Sequence, residues 1–203
     1  MNNKSRFWYR LLSLLPDGPW IWRLKASQLE SKGEYKDGLQ HGPWEMYYED
    51  GQIEFKGAYN NGRRHGPWEM FYPSGQLKVK GTSKNGRPDG LFERFFENGR
   101  ISERYTCEDG EQFGVFENFY ENGRLKEKGY YDCGYRDGLL EAYHENGRLK
   151  KTGHYRSGGK DGIWEFYYEN GQLGKRENYK DGMLDGLWQY FDDKGQLKEQ
   201  RHY

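Results

Sequence analysis

The chain has 203 residues, of which 32 are basic and 32 acidic, so its net charge is zero. A phosphate-binding footprint needs a basic excess, so this balance disfavours nucleic acid as a partner and an acidic nucleic-acid mimic alike. A hydrophobic fraction of 33% and a mean hydropathy of -1.24 resemble a disordered chain, yet aromatics reach 18% and recur at fixed places, which marks a folded one.

Residues 1–17 read MNNKSRFWYRLLSLLPD. Phe7, Leu11, Leu14 and Leu15 follow a helical spacing with Lys4, Arg6 and Arg10 between them, and Pro16 stops the run. The reading is a short amino-terminal helix that caps the open end of a repeat array. A signal peptide and a membrane-surface helix are the alternatives. Arg10 interrupts the apolar run, no small-residue cleavage site comes after it, and the charge is modest. No stretch approaches transmembrane length. The two cysteines, Cys107 and Cys133, form no CxxC pair or disulfide framework, which points to a reducing, cytoplasmic compartment.

From Lys32 the stretch KGEYKDGLQHGPWEMYYEDGQIEF returns at Lys56, Lys80, Arg104, Lys128, Thr152 and Arg176, every 24 residues and without insertion. A half unit at 18–31 precedes seven units at 32–199, and 200–203 begin another; Gly18-Pro19-Trp20 matches Gly42-Pro43-Trp44. A fixed period of this length marks units that bury themselves on their neighbours. Within each unit, Pro43–Tyr48 and Gln52–Tyr59 read as strands. Asp50-Gly51 between them, and Asn-Gly in later units, predict a two-residue type I′ turn. The longer connection from Lys36 to Gly42 is a second turn, with Gly38 and Gly42 needing positive φ or close approach. The expected fold is all-β: residues 18–203 form an elongated antiparallel β-meander of hairpin repeats in a single twisted sheet, preceded by the helix at 1–17.

The register can be tested on charge alone. With a two-residue turn, Glu45 faces Lys56, Glu69 faces Lys80, Glu93 faces Arg104, Glu117 faces Lys128 and Glu165 faces Arg176. Glu141 meets Thr152, and Gln189 meets Gln200. A three-residue loop would set Glu93 against Glu103 and Glu117 against Glu127, and directly opposed like charges destabilise a sheet, so the two-residue turn is expected. The chosen register defines two faces. One is apolar, with Trp44, Met46, Tyr48, Ile53, Gly57 and Tyr59, and it lays Trp44 across from Gly57, Trp68 from Gly81 and Phe116 from Gly129. The other carries the acid–base ladder and an aromatic ladder: Tyr47, Phe71, Phe95, Phe119, Tyr143, Tyr167 and Phe191.

No catalytic constellation stands above the repeat, so no enzyme, cofactor or metal is expected. His41 and His65 lie two strands apart, roughly 10 Å, too far to share a metal. Asp89, Asp137, Asp161 and Asp185 fit turn chemistry. The aromatic ladder is the first candidate for partner binding, because exposed Tyr and Phe framed by charge serve as interface anchors. Its competing role is to shield the sheet's backbone hydrogen bonds. The position after the ladder glutamate varies, with Arg94 in unit three and Asn118 in unit four. Unit four departs most, with Tyr105, Cys107 and Phe113 where others carry Gly, Tyr and His or Asp. Arg94, Asn118 and Phe113 are therefore the second set of candidates.

The stretches YENGQLGKRENYKDG, FYENGRLKEKGYYDCG and DGIWEFYYENGQL resemble the variant MORN repeats of the bacterial YwqK family, over about residues 18–203. Members are commonly named antitoxin or immunity components. The resemblance implies a non-enzymatic binding protein that neutralises a cognate polymorphic toxin by occlusion; no catalytic residues carry over. A MORN-like scaffold at a membrane and an aromatic-hairpin carbohydrate binder remain open as other classes. The sequence leaves the oligomeric state undefined.

Overall fold

The computed structural model describes the backbone of residues 18–25 and 28–203, and side chains at 18 and 30–203. The helix expected at 1–17 lies outside the described residues. Those that are described are all-β and divide into two compact units, one ending at Gly99 and one spanning Arg100–Tyr203. Within each unit, consecutive strands pair antiparallel in chain order. In the first, Gly18–Lys25 pairs Gln28–Lys36, which pairs Leu39–Tyr47, which pairs Ile53–Asn60. In the second, Ile101–Glu108, Glu111–Phe119, Leu125–Asp132 and Tyr135–Tyr143 succeed one another in the same way.

The expected register holds. Glu45 faces Lys56, Glu69 faces Lys80, Glu117 faces Lys128, Glu141 faces Thr152, Glu165 faces Arg176 and Gln189 faces Gln200. The turn that produces it is not the expected one. Gly51 N–H donates to Tyr48 O at 2.9 Å and Tyr48 N–H to Gln52 O at 2.8 Å. Of Asp50 and Gly51, only Gly51 is left-handed (φ 87°). This is a three-residue loop, a β-turn closed by a left-handed glycine. Asp50 Oδ1 accepts the Gln52 N–H at 3.0 Å and fixes the tip. A register shift between Met46 and Tyr47 then leaves Glu54 unpaired, and that bulge restores the alignment the extra loop residue would have broken. Charge complementarity thus identified the register correctly, while the Asp-Gly dipeptide did not discriminate between two turn types.

The type I′ turn sits at the other end of the strands. Lys36 pairs Leu39, and both residues between them are left-handed, Asp37 at φ 52° and Gly38 at 72°. In later units Asn61, Asn85, Asp109, Cys133, Ser157 and Asp181 occupy the first position. Gly42 is left-handed as expected and marks the irregularity between Gly33/Glu34 and their partners.

The bulge also moves Ile53. It stands across from Tyr47, and residues directly opposite share a face, so Ile53 belongs with the ladder and not with the tryptophans. Phe55 takes its place on the apolar side. The first core holds Tyr35, Trp44, Phe55, Trp68 and Val79, flanked by Met46, Tyr59, Met70 and Phe92. The second holds Phe116, Leu140 and Trp164, flanked by Tyr105, Tyr131, Tyr155, Phe166 and Tyr179.

Trp44 is paired with Gly57 as expected, yet its ring lies on Gly33, one strand back. A Cβ on Gly33 would fall 2.3 Å from that ring, and one on Gly153 would fall 2.3 Å from the ring of Trp164. Both indoles donate to the backbone, Trp44 Nε1 to Glu34 O at 3.2 Å and Trp164 Nε1 to His154 O at 3.0 Å. Trp68 and Phe116 instead reach forward over Gly81 and Gly129. The space behind Trp68 is taken: the Phe55 ring would stand 2.6 Å from a Cβ on Gly57. Turned away from a carbonyl, Trp68 Nε1 is buried without a hydrogen-bond partner.

Candidate functional site

The ladder face comes first. Every aromatic-ladder ring is half-buried. Tyr47 O–H donates to Glu45 Oε2 at 2.6 Å, and Tyr167 O–H to Glu165 Oε2 at 2.7 Å. Burial and then these hydrogen bonds push both phenols up to about 12. The Tyr167 hydrogen bond, with Arg176, holds the Glu165 carboxyl below its usual value against the opposing effect of burial. Lys80 Nζ lies 5.6 Å over Phe95, and the Arg104 guanidinium 5.7 Å over Phe119. The rings are thus packing partners of the ladder's charges.

Lys80 and Lys128 each stand between two acids, a consequence that pairwise charge matching along the sequence does not capture, whereas Arg176 has Glu165 on one side and Gln189 on the other. Lys80 faces Glu69 on one strand and Glu93 on the other, and its ion pair is to Glu93 at 2.7 Å. Lys128 likewise closes on Glu141 at 2.6 Å and Arg104 on Glu117, while Arg176 turns back to Glu165 at 2.7 Å.

A row on the same face is absent from the sequence-based candidates. Val115, Leu139, Ile163 and Leu187 hold one equivalent place, two residues before the ladder acid or its replacement Gln189, and are 61%, 47%, 59% and 44% exposed. Successive members lie two strands apart, roughly 10 Å. The signal was available: the position is apolar in every full unit but falls on the polar phase of the strand.

Within the second unit the variable positions Asn118 and Phe113 take different faces. Arg94 belongs to the first unit and stands opposite Val79. Asn118 stands opposite Glu127, on the tryptophan face, with its Nδ2 3.5 Å from Glu127 Oε2. Phe113 is exposed and packs edge-on to Tyr130 at 5.9 Å, and Tyr130 faces Val115. Phe113 therefore extends the aliphatic row, and Asn118 does not.

The hairpin tips interlock from one unit to the next. Tyr48 O–H donates to Phe71 O at 2.7 Å, Tyr72 to Phe95 O at 2.9 Å, Tyr120 to Tyr143 O at 2.7 Å and Tyr168 to Phe191 O at 2.9 Å. His144 Nε2 takes the same place against Tyr167 O at 2.8 Å, where it must be the protonated nitrogen. The asparagine of the tip accepts from its own turn and reaches onward, as Asn146 Oδ1 takes the Arg148 N–H at 2.9 Å and Nδ2 donates to Glu169 O at 3.0 Å. At the type I′ end, Gly62 N–H donates to Gln40 O and Gly158 N–H to Arg136 O. The recurrent Tyr-Glu-Asn-Gly-Arg string thus has a structural reason at nearly every letter.

Among the described residues no cluster of His, Cys, Asp or Glu could hold a metal ion, and no helix is long and apolar enough to cross a membrane. Cys107 is buried and Cys133 exposed, and neither is in a disulfide. One shallow, open hollow of about 360 Å³ is lined by Gly51, Gln52, Ile53, Lys56, Phe71 and Gly75.

This chain belongs to the MORN repeat variant family, whose model matches residues 40–61, 64–85, 114–132, 136–157, 160–181 and 184–203. It is a β-hairpin repeat scaffold. The unmatched stretch between 85 and 114 contains the departures at Tyr105, Cys107 and Phe113. No curated protein matches the chain. Among solved structures, one that is similar is a point mutant of the TarM protein of S. aureus in complex with fondaparinux, alpha-GlcNAc-glycerol and UDP, at 12% identity and a TM-score of 0.28. The match covers 78% of this chain and 24% of that one, so the chain spans about a quarter of that protein's length.

Proposed function

We propose that this chain is a non-enzymatic, cytoplasmic protein-binding repeat that neutralises a cognate polymorphic toxin by occlusion, as an immunity protein of the YwqK type. The observation that carries the binding part is the row Val115, Leu139, Ile163 and Leu187, exposed beside a ladder of closed ion pairs. Apolar side chains bounded by charge have the composition of an interface core and its rim. The interlocked hairpin tips favour the same reading, because a surface already held in its bound shape loses little entropy on association. The immunity part rests on the resemblance of the repeats to the YwqK family. No cofactor, metal or nucleic acid enters this reading.

The test is growth rescue in the native host's genetic setting. A secreted toxin encoded beside this gene is expressed with the wild-type chain and with Leu139→Asp/Ile163→Asp. The expected result is survival with the wild type, a stoichiometric complex on gel filtration, and loss of both with the variant. Toxicity that persists with the wild-type chain rejects the immunity reading. A variant that rescues as well as the wild type rejects the aliphatic row as the contact.

A further inference from the structure

The tryptophan face is not apolar throughout. In the first unit its central row runs Met46, Phe55, Met70 and Val79 on neighbouring strands. In the second unit the same places hold Ala142, Lys151, Phe166 and Lys175. Phe166 stands directly between the two lysines. Lys175 Nζ lies 4.3 Å from its ring centre and Lys160 Nζ 5.3 Å. Lys160 is also 4.8 Å from the Trp164 ring and 4.4 Å from that of Tyr179, and it donates to the Tyr179 hydroxyl at 3.0 Å. Two ammonium groups therefore lie over one aromatic floor, while Lys151 flanks Phe166 on the next strand and sends its own ammonium to Glu127.

The acids beside them are already shared. Glu127 accepts Lys151 at 3.3 Å and Arg136 at 3.2 Å. Glu177 accepts Lys175 at 2.9 Å, Tyr179 at 2.8 Å and Trp188 at 3.0 Å. Four cations meet two carboxylates, an excess of two positive charges in a chain whose net charge is zero. Lys160 has a hydroxyl where the others have a carboxylate. Burial pulls its ammonium below the usual value; nearby Glu177 opposes this, and Lys175 and Lys151 add to it. Rings hold a cation by their faces and leave its outward donors free.

We propose that Lys151, Lys160 and Lys175, around Phe166, form a binding site for a doubly charged oxyanion group, a phosphate monoester or a pair of carboxylates. The two charges of such a group match the local excess. Trp164 and Tyr179 wall one side and exclude water, which strengthens each charge-assisted hydrogen bond. The site lies on the face opposite the aliphatic row and is independent of the partner reading.

The experiment titrates the full chain, with labelled lysines, against sodium phosphate and separately against glutarate, each at constant ionic strength with sodium chloride as the reference. Lysine side-chain NMR resonances are the readout. Saturable shifts at Lys151, Lys160 and Lys175 are expected with phosphate, glutarate or both, and the arm that saturates identifies the source chemistry. Lys160→Met keeps the apolar stem over the rings and should weaken the apparent affinity about tenfold or more, the loss of one charge-assisted contact. Lys180→Met, at a turn on the neighbouring strand, should leave it unchanged. A thermal melt checks that each variant is folded, and Lys175→Met replaces the Lys160 variant if that one is not. Shifts no larger than those with chloride, or equal titrations for the Lys160 and Lys180 variants, overturn the proposal.

Discussion

Gly153→Ala isolates the interaction that anchors the second core. A methyl there falls 2.3 Å from the ring of Trp164, which is fully buried at 0% exposure. Carbon contacts need about 3.5 Å or more, so the ring has to retreat by over an ångström into space already filled. Overpacking of this kind costs about 3 kcal/mol at its upper end. Moving the indole also breaks its bond to His154 O, worth about 1 kcal/mol. The sum is about 4 kcal/mol before the small gain of alanine over glycine in a strand, and no backbone strain is added, because Gly153 has no positive φ. Gly138→Ala is the contrast: its φ is 76° and nothing lies within 4 Å of its added methyl, so only backbone strain of about 1 to 2 kcal/mol applies. Urea unfolding followed by tryptophan fluorescence and far-ultraviolet dichroism measures both, and coincident transitions establish that one free energy describes them. The double-mutant cycle is decisive. With Trp164→Ala already in place, Gly153→Ala should turn favourable by about 0.5 kcal/mol, the ordinary advantage of alanine over glycine in a strand. Gly138→Ala should cost the same in either background. If Gly153→Ala and Trp164→Ala add within about 0.5 kcal/mol, the ring does not rest on that glycine and the account of the core fails.

Three further outcomes rest on the same geometry. Tyr120→Phe removes the strut to Tyr143 O and should cost about 1 kcal/mol in urea unfolding; a neutral result would mean the tips are not locked. Cys133→Asn replaces a residue held at φ 47° by one that tolerates it and should raise stability by about 0.5 to 1 kcal/mol, read as an upward shift in the unfolding midpoint. Tyr47 and Tyr167 keep in the folded chain, to about 12, a proton that an unfolded tyrosine releases near 10.0. Their contribution to stability is therefore complete below pH 10.0 and is lost between there and about 12. Ultraviolet phenolate titration should show these two ionising late, and Glu45→Gln should bring Tyr47 forward; an unmoved titration contradicts the Tyr47–Glu45 bond.

The sequence carried the register because acid and base face each other at one place in most units, and a one-residue slip would oppose like charges at Glu93 and Glu117. It carried the apolar face for the same reason, since side-chain direction follows parity once the register is known. It misassigned the turns because Asp-Gly suits both a type I′ turn and a turn closed by a left-handed glycine. The bulge at Glu54 compensates for the difference, so no charge was left out of place to reveal it. It placed Ile53 on the wrong side for the same reason. The candidate surfaces were half legible. The aromatic ladder exists, but its phenols and rings are engaged with the ladder's own charges. The aliphatic row at Val115, Leu139, Ile163 and Leu187 is visible in the repeat but hidden by its position among polar residues.

What the sequence determined by itself is the 24-residue unit, the pairing register and the opposite sides taken by the tryptophans and the ladder acids. Pairing between adjacent strands is local, so one unit specifies the next. What only the tertiary structure decided is everything that depends on which volume or charge fills a neighbouring place. Trp44 folds back over Gly33 while Trp68 turns forward, because Phe55 occupies the space behind it. Lys80 closes on Glu93 although Glu69 faces it equally. Lys160 and Lys175 meet over the Phe166 ring, with Lys151 beside it on a third strand, because pairing across a sheet brings together residues that no single period relates.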